Sequence, residues 1–236
     1  DAFLAQSRGA LGELAGPLNI GIIPTIAPYL LPGVLIGIEE NYPDLEPRIV
    51  ENQTDQLLQM LRDGQLDLAV LATPTHAPGL EQLPLYDEPF VAVTNPDDPL
   101  AGRTDLGLDS LKDLNLLLLD DGHCLRDQIV ELCKIAEATP GARKHAVTRA
   151  SSLTTIVQLV VAGLGSTLIP ASAVGTECSR PGVASATFAN GVQAQRTVSL
   201  VYRASSQRVA EFEQLGQLVK ASYERALESG KSLLPR

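Results

Sequence analysis

The sequence contains no tryptophan, and aromatic residues make up only 4% of its 236 residues. This scarcity weakens any interpretation based on bases stacked on aromatic side chains. Basic residues are also few: 18 Lys and Arg stand against 28 Asp and Glu, a formal net charge of −10. Such a surface repels a phosphate backbone, so these residues by themselves are not expected to bind nucleic acid.

Long apolar runs are missing as well. No stretch approaches the roughly 18–20 apolar residues that a membrane-spanning helix needs. The first residues, DAFLAQSRGALGELAGPL, lack a basic region followed by an apolar run and are not predicted to be a signal peptide. Three cysteines are too few for a disulfide scaffold, and the odd count leaves at least one thiol free. These features predict a reducing, cytosolic compartment.

The residues that are present favour a well-packed α/β fold, since 44% are hydrophobic and 19% are charged. Residues 2–14 have the pattern of the tail of a helix. Beyond them, strand patterns occur at 18–23, 46–51 and 66–72, and helical patterns at 27–42 and 54–64. Pro28 is predicted to open the first helix, Thr54 to cap the second and Gly64 to end it. The βαβαβ order predicts a parallel sheet with right-handed crossovers.

A second α/β pattern follows, with no sequence repeat between the two halves. Strands are predicted at 88–94, 116–119, 145–150, 166–171 and 196–204, and helices at 110–114, 124–138, 152–165 and 206–227. We therefore predict two α/β units, with the chain crossing between them near residue 88 and again near residue 197.

Polar side chains follow several of the predicted strands. Ligands of open parallel sheets bind beyond the carboxyl ends of the strands, where helix N-termini favour anions and polar oxygens. The polar groups at these positions are Thr25, Asn52 to Thr54, Asp120 to Cys124, and Ser151 with Ser152. If the two units face each other, these loops line one cleft. Taken singly, Thr54 and the two serines are also compatible with simple N-caps.

Two of the cysteines lie in LDDGHCLRDQIVELC, residues 119–133, nine positions apart. On one continuous helix, nine residues rise by about 13.5 Å and turn by about 900°, which places the thiols on opposite faces. A disulfide needs Cα atoms within roughly 7 Å. Cys124 and Cys133 can therefore join only if the helix partly unwinds, as expected of a redox switch.

The two thiols are predicted to have different surroundings. Cys133 falls on the apolar face of the helix and is expected to be buried, where it is also compatible with plain core packing. Cys124 begins the helix, where the dipole and two positive neighbours, His123 and Arg126, favour the thiolate. His123 is also compatible with an ordinary loop histidine, and Asp127 with a first-turn acid that interacts with the helix dipole.

Two other chemistries are disfavoured. A metal site needs several ligands with suitable spacing, and the segment around Cys124 offers three at most. A cysteine hydrolase needs a remote base, but the only histidines are His76, His123 and His145, and no nucleophile signature surrounds Cys124. Neither a metal nor a cofactor is predicted. The third cysteine, Cys178, is predicted to be a loop thiol without a partner.

Longer segments resemble a known family. GPLNIGIIPTIAPYLLP, NYPDLEPRIVENQTDQLLQMLRDGQLDLAVLA, VAGLGSTLIPA and RTVSLVYR are similar to the effector-binding domain of LysR-type transcriptional regulators. LPLYDEPF and LDDGHCLRDQ, with a second cysteine nine positions after the first, narrow the resemblance to the peroxide-sensing branch of that family. The similarity covers about residues 14–226.

The resemblance implies a fold and a set of site residues. The fold would be two Rossmann-like subdomains joined by two crossover strands, like type 2 periplasmic binding proteins. Cys124 matches the peroxidatic cysteine, which peroxide oxidises to a sulfenic acid, and Cys133 matches the resolving cysteine. The residues matching the peroxide-binding positions are Thr25, Thr54, His123, Asp127 and Arg196. Taken alone, Arg196 is also compatible with an exposed strand arginine. Cys178 has no role in the family pattern and is a candidate for side oxidation.

The resemblance also implies domain limits and partners. Residues 1–15 would end a linker helix, 16–87 with 198–228 would form the first subdomain, 88–197 the second, and 229–236 a tail. The family's winged helix-turn-helix, which binds DNA, is not within these residues. Hydrogen peroxide would be the ligand, and a homodimer or homotetramer would form through the regulatory domains, with helix 27–42 against a partner's strands. RNA polymerase is a candidate partner, and a bacterial cytoplasm the expected location.

Three other functions remain compatible with the sequence. The first is a LysR-type domain that binds a small-molecule effector in the cleft, through Thr25, Thr54 and Ser151, with incidental cysteines. The second is a transporter's solute-binding protein, which the missing signal peptide disfavours. The third is a thiol peroxidase, which the absence of a CxxC or peroxidase motif disfavours. Because no catalytic turnover is implied, the chain is predicted to be a regulator and not an enzyme.

Overall fold

The computed structural model describes residues 14–72, 77–138 and 150–235. The predicted linker helix and most of the predicted strand at 145–150 lie outside these residues, as do His76 and His145. The chain forms two compact units. The first unit consists of the chain up to Tyr86 together with Thr197–Arg225, and the second of Asp87–Arg196 together with Ala226–Arg236.

The first unit is built on a mixed sheet with the strand order β2-β1-β3-β7. Its elements are β1 (Gly16–Ile22), α1 (Ala27–Asn41), β2 (Leu45–Glu51), α2 (Thr54–Arg62) and β3 (Leu68–Leu71), followed much later by β7 (Gln195–Arg203). Strand β1 pairs in parallel with both β2 and β3, so the predicted βαβαβ order and its parallel sheet are confirmed. Strand β7 runs antiparallel to β3.

The helices of this unit begin and end near the predicted residues. Pro28 lies in the first turn of α1, and α2 is followed by Gly64, whose φ of 74° only glycine adopts without strain. Two glycines of α1 allow the long helix α6 (Val209–Gly230) to pack closely against it. A Cβ added at Gly33 would collide with the Ser222 side chain, and one added at Gly37 would press on Leu218.

The second unit contains a small antiparallel sheet in which β4 (Leu80–Thr94) pairs with β5 (Thr167–Pro170) and with β6 (Ala184–Thr187). Its described residues include the α-helices α3 (Cys124–Ile135), α4 (Leu153–Val161) and the short α5 (Val174–Glu177). Short 3₁₀ turns occur at Leu108–Lys112, Ala171–Ala173 and Lys231–Leu233. The last turn is tied to β6 by the Ser185 hydroxyl, which donates to the Leu233 carbonyl at 2.7 Å.

Several predicted elements of this unit were wrong in extent or type. Strand β4 begins at Leu80 and not at residue 88, because its first half lies beside β7, where Gln82 donates to the Ser199 hydroxyl at 2.8 Å. The predicted strand at 116–119 is instead a pair of isolated parallel bridges, Leu116 to Ser166 and Leu119 to Ala150. Strand β6 was missed because its ASAT sequence is too small and too short to show an apolar period.

Each unit has an apolar core. The largest fully buried side chains include Leu18, Leu57 and Phe212 in the first unit, and Phe90 and Leu106 in the second. Among the helices in the described parts of the chain, none combines the length and the apolar character that crossing a membrane would require.

Candidate functional site

Cys124 is the first residue of α3, as predicted. The chain reaches it through a turn in which Gly122 has a φ of 90°, so a side chain at that position would be strained. His123 is the N-cap residue, with extended backbone. The Cys124 side chain is buried, with 9% of the residue exposed. The sulfur thus lies at the N-terminal end of a helix, where backbone N–H groups and the dipole favour negative charge.

Cys133 lies on the same unbroken helix, nine positions further on. Only 1% of the residue is exposed, which confirms the predicted burial, and burial raises the pKa of its thiol above the usual value. Both cysteines are free thiols. Because α3 is continuous between them, their Cα atoms are separated by a rise of about 13.5 Å, beyond the roughly 7 Å of a disulfide.

The C-terminal end of α3 lies just beyond Cys133. The Ala138 N–H donates to the Cys133 carbonyl at 2.8 Å, and the Glu137 N–H donates to the Lys134 carbonyl at 3.1 Å. This pattern is a Schellman motif, in which the residue at the Glu137 position is usually glycine. Glu137 has a φ of 54°, the one positive value at a non-glycine residue in the described chain. The helix therefore ends at Ile135 and not at 138 as predicted.

The two positive neighbours expected beside Cys124 are not both charged and available. His123 is buried, and this burial lowers its pKa below the usual value, while nearby Asp120 opposes the shift more weakly. Its imidazole is therefore neutral at pH 7. Arg126 pairs with Asp121 at 3.0 Å. The predicted His123 cation is thus wrong, and a neutral imidazole precedes the thiol.

Arg196 is not an exposed strand arginine. Its side chain is fully buried, and its Nε and Nη2 atoms both lie 2.8 Å from Oε2 of Glu88, which is also fully buried. The other carboxylate oxygen, Oε1, accepts the Ser172 backbone N–H at 2.9 Å. Glu88 was not among the predicted site residues, although an acidic residue directly before the apolar strand residues PFVAV was a signal for a buried partner.

The two threonines belong to the first unit, whereas Cys124 and His123 belong to the second. Arg196 is the last residue of the second unit before the boundary, which falls within β7. Thr25 lies in the turn between β1 and α1, with 3% of the residue exposed. Thr54 is the first helical residue of α2, and the N-cap is Gln53, so the N-cap interpretation of Thr54 is wrong. Its hydroxyl oxygen is buried and has no hydrogen-bond partner among the described residues.

Asp127 lies in the first turn of α3 and is exposed. This position is that of an acid that interacts with the helix dipole, as one interpretation of the sequence held. Ser152 is the N-cap of α4, where its hydroxyl accepts the Thr155 N–H at 3.2 Å, so the N-cap interpretation is confirmed there.

Cys178 lies at the C-cap of α5 and not in an open loop. It is about as buried as Cys124, with 8% of the residue exposed. Burial, together with the negative charge of Glu177, raises the pKa of the Cys178 thiol to about 12. Cys178 is therefore protonated at neutral pH. In the described chain, no three His, Cys, Asp or Glu side chains cluster in a way that would hold a metal ion.

The fold is that of a LysR-type substrate-binding domain. The chain belongs to the LysR substrate-binding domain family, whose model matches residues 11–224. This assignment and the mixed α/β, type 2 periplasmic-binding-like architecture confirm the family and fold class predicted from the sequence.

Within that family the chain is similar to OxyR proteins. A probable hydrogen peroxide-inducible genes activator of Mycobacterium avium is 46% identical over 93% of this chain and 69% of that protein. The DNA-binding transcriptional dual regulator OxyR of Escherichia coli strain K12 is 40% identical over 92% of this chain and 70% of that protein. These relatives confirm the prediction that, within the family, the chain resembles the peroxide-sensing proteins.

Solved structures that are similar to this chain are also those of OxyR proteins. A cysteine-to-serine mutant of Corynebacterium glutamicum OxyR with bound H₂O₂ is 56% identical, with a TM-score of 0.92 over 98% of this chain and 71% of that chain. The oxidized form of the same protein has a TM-score of 0.82 at the same identity and coverage. The reduced OxyR regulatory domain of Pseudomonas aeruginosa is 36% identical, with a TM-score of 0.76 over 89% of this chain and 99% of that chain.

Proposed function

We propose that this chain is the regulatory domain of a LysR-type, DNA-binding transcription regulator that senses hydrogen peroxide through Cys124 and Cys133. The observation that carries the proposal is one unbroken helix that starts at one free thiol and holds a second, nine positions on, out of bonding range. The names of the relatives, which include peroxide-inducible gene activators and OxyR, support it.

In the first step, the Cys124 thiolate attacks one oxygen of H₂O₂. An S–O bond forms and the O–O bond breaks, so that sulfur is oxidised to a sulfenic acid and the second oxygen leaves as hydroxide, which takes up a proton to give water. Charge develops on the leaving oxygen. Fixed donors aimed at it would therefore accelerate the step.

In the second step, the Cys133 thiol attacks the sulfenic sulfur. A disulfide forms, and the sulfenic oxygen leaves with a proton as water. The rise along α3 means that this helix must partly unwind before the bond can close. The unfavourable φ of Glu137, at the C-terminal end of the helix, supports unwinding from that end. The conformational change would then alter DNA binding and so control oxidative-stress genes.

Peroxide-binding roles are proposed for Thr25, Thr54, His123, Arg196 and Asp127, with different support for each. The buried, partnerless hydroxyl of Thr54 supports a ligand-binding role, since a buried polar atom rarely lacks a partner. Neutral His123 supplies both a donor and an acceptor directly before Cys124. Arg196 supplies a buried guanidinium of fixed geometry. For Thr25 and exposed Asp127, the role rests on the family resemblance.

Mass mapping of the thiols before and after one equivalent of peroxide tests the proposal. We expect a Cys124–Cys133 disulfide and an unmodified Cys178. Thr54→Val and Arg196→Ala should slow oxidation of Cys124 by roughly 10²-fold, since each removes a donor. Thiols that survive equimolar peroxide would contradict the proposal and favour the alternative, a LysR-type domain with incidental cysteines that binds a small-molecule effector.

We also propose that the chain forms a homodimer through α1. Leu35 and Ile36 on this helix are 38% and 56% exposed, a large apolar exposure for adjacent residues of one helix. A second copy of the chain is the proposed occupant, as the family resemblance implies. Sedimentation should show a dimer at tens of micromolar, and Ile36→Glu should give monomers without loss of fold. A monomeric wild-type chain would overturn this assignment.

A further inference from the structure

We propose that Glu88 is the positioning residue of the peroxide site: its carboxylate holds the Arg196 guanidinium in the orientation that stabilises the leaving oxygen. The proposal rests on the role given to Arg196 above, and Glu88 was not among the residues predicted for the site. Glu88 acts through Arg196 and needs no contact of its own with peroxide.

The sheet places Glu88 between its two partners. The ladder between the antiparallel strands β4 and β5 ends with Phe90 opposite Pro170, and the 3₁₀ turn Ala171–Ala173, which follows β5 directly, brings the Ser172 N–H within 2.9 Å of the Glu88 carboxylate. On the other side, the Phe90 N–H donates to the Ala194 carbonyl at 2.8 Å, two residues before Arg196. Backbone pairing next to Glu88 on both sides therefore fixes the backbone from which its side chain reaches Ser172 and Arg196.

The carboxylate uses both of its oxygens. Oε2 accepts two N–H groups from Arg196, and Oε1 accepts the Ser172 backbone N–H. A guanidinium has five N–H donors in a rigid plane. Two of them are held by Glu88, so the plane of the group is set and its Nη1 edge is directed away from the carboxylate. A preorganised donor stabilises a transition state better than one that must first reorient.

Burial argues that this pair does more than hold the fold together. Both side chains are 0% exposed, and removing two charges from water costs about as much as their attraction returns, so such a pair adds little net stability. The pair of Glu177 with Arg180 is a useful contrast. Glu177 is equally buried and accepts the Arg180 guanidinium at 2.8 Å and the Thr154 hydroxyl, but Arg180 is 22% exposed and has no proposed role in the site.

The experiment compares Glu88→Gln with Glu177→Gln as the matched control. Glutamine keeps the shape of glutamate but replaces one acceptor oxygen by an NH₂ group, which is a donor. That NH₂ group would lie opposite either the Ser172 N–H or the Arg196 guanidinium, and it can accept a hydrogen bond from neither. The rate constant for Cys124 oxidation is measured by rapid quenching with an alkylating reagent and mass spectrometry. We expect a roughly tenfold slower reaction in Glu88→Gln, by loss of orientation, and an unchanged rate in Glu177→Gln.

A double-mutant cycle separates positioning from a structural role. If Glu88 acts through Arg196, Glu88→Gln should slow the wild-type chain but have no further effect on Arg196→Ala, whereas independent effects would multiply. Equal slowing in both backgrounds, or a wild-type rate in Glu88→Gln, would overturn the inference while leaving peroxide sensing intact. A wild-type Cys124 that does not react with peroxide would instead refute the proposed function, and this inference with it.

Discussion

Cys124 and Cys178 are two thiols of nearly equal burial, 9% and 8% exposed, in opposite electrostatic settings. Cys124 opens a helix of 12 residues, where the dipole favours a negative charge. Cys178 follows Glu177 at the C-terminal end of a helix of 4 residues, where both the dipole and the carboxylate disfavour one. Two thiols of similar exposure therefore differ in the end of the helix on which they sit and in their charged neighbours. We expect this difference to separate their reactivity with peroxide.

The largest expected effect tests the difference between Cys124 and Cys178 directly. Cys124→Ser should abolish the fast reaction with peroxide, because the proposed thiolate is gone, whereas Cys178→Ala should react at the wild-type rate. Since the chain has no tryptophan, alkylation followed by mass spectrometry is a better readout than intrinsic fluorescence. Fast oxidation that survives Cys124→Ser and disappears in Cys178→Ala would reverse the assignment of the two thiols.

The next effect concerns the second thiol of α3. Cys133→Ser should leave the first oxidation as fast as in the wild type, because Cys133 acts only after the O–O bond has broken. Sulfenic acid, followed by sulfinic acid, should then accumulate on Cys124, as a trapping reagent for sulfenic acid would detect. If Cys133→Ser slowed the first step by the roughly 10²-fold expected of Arg196→Ala, the division into sensing and resolving cysteines would be wrong.

A smaller effect should appear in the pH dependence of stability. The folded-state pKa of His123 lies below its unfolded value of about 6.5, so the unfolded chain binds the proton first as the pH falls. Stability contributed by neutral His123 is complete above pH 6.5 and decreases below it, by at most about 1.4 kcal/mol per pH unit. His123→Asn, which keeps an N-cap residue, should remove this part of the dependence in urea titrations at pH 7.5 and 5.5. Identical pH dependence in both chains would contradict a buried neutral imidazole.

The smallest expected effect concerns the C-terminal end of α3, where unwinding is proposed to begin. Glu137→Gly should stabilise the reduced chain by up to about 1 kcal/mol, because glycine adopts the positive φ of the Schellman position without strain. The disulfide should then form a few-fold more slowly, whereas the first oxidation keeps its rate. As a control, Ala136→Gly, one position earlier, should only destabilise the helix. A faster second step in Glu137→Gly would argue against unwinding from this end.

Much of the site followed from local patterns. The helix start at Cys124 and the burial of Cys133 depend on the order of polar and apolar residues along one segment, and the structure bears both out. The left-handed conformation of Glu137 was not predicted from these patterns, because such a helix end is usually indicated by glycine and not by glutamate. The isolated bridges at Leu116 and Leu119 were also mistaken for a strand, since an apolar run shows burial but not which partner backbones lie alongside.

The sequence by itself determined the spacing of the two thiols on one helix, the βαβαβ order of the first unit and the family to which the chain belongs. Each of these is carried by residues near one another in the chain or by motifs that can be read letter by letter. Only the tertiary structure decided the charge state of His123 and the pairing of Arg196 with Glu88, residues 108 positions apart. Both depend on desolvation and on strand register, and these arise only when distant segments pack together and exclude water.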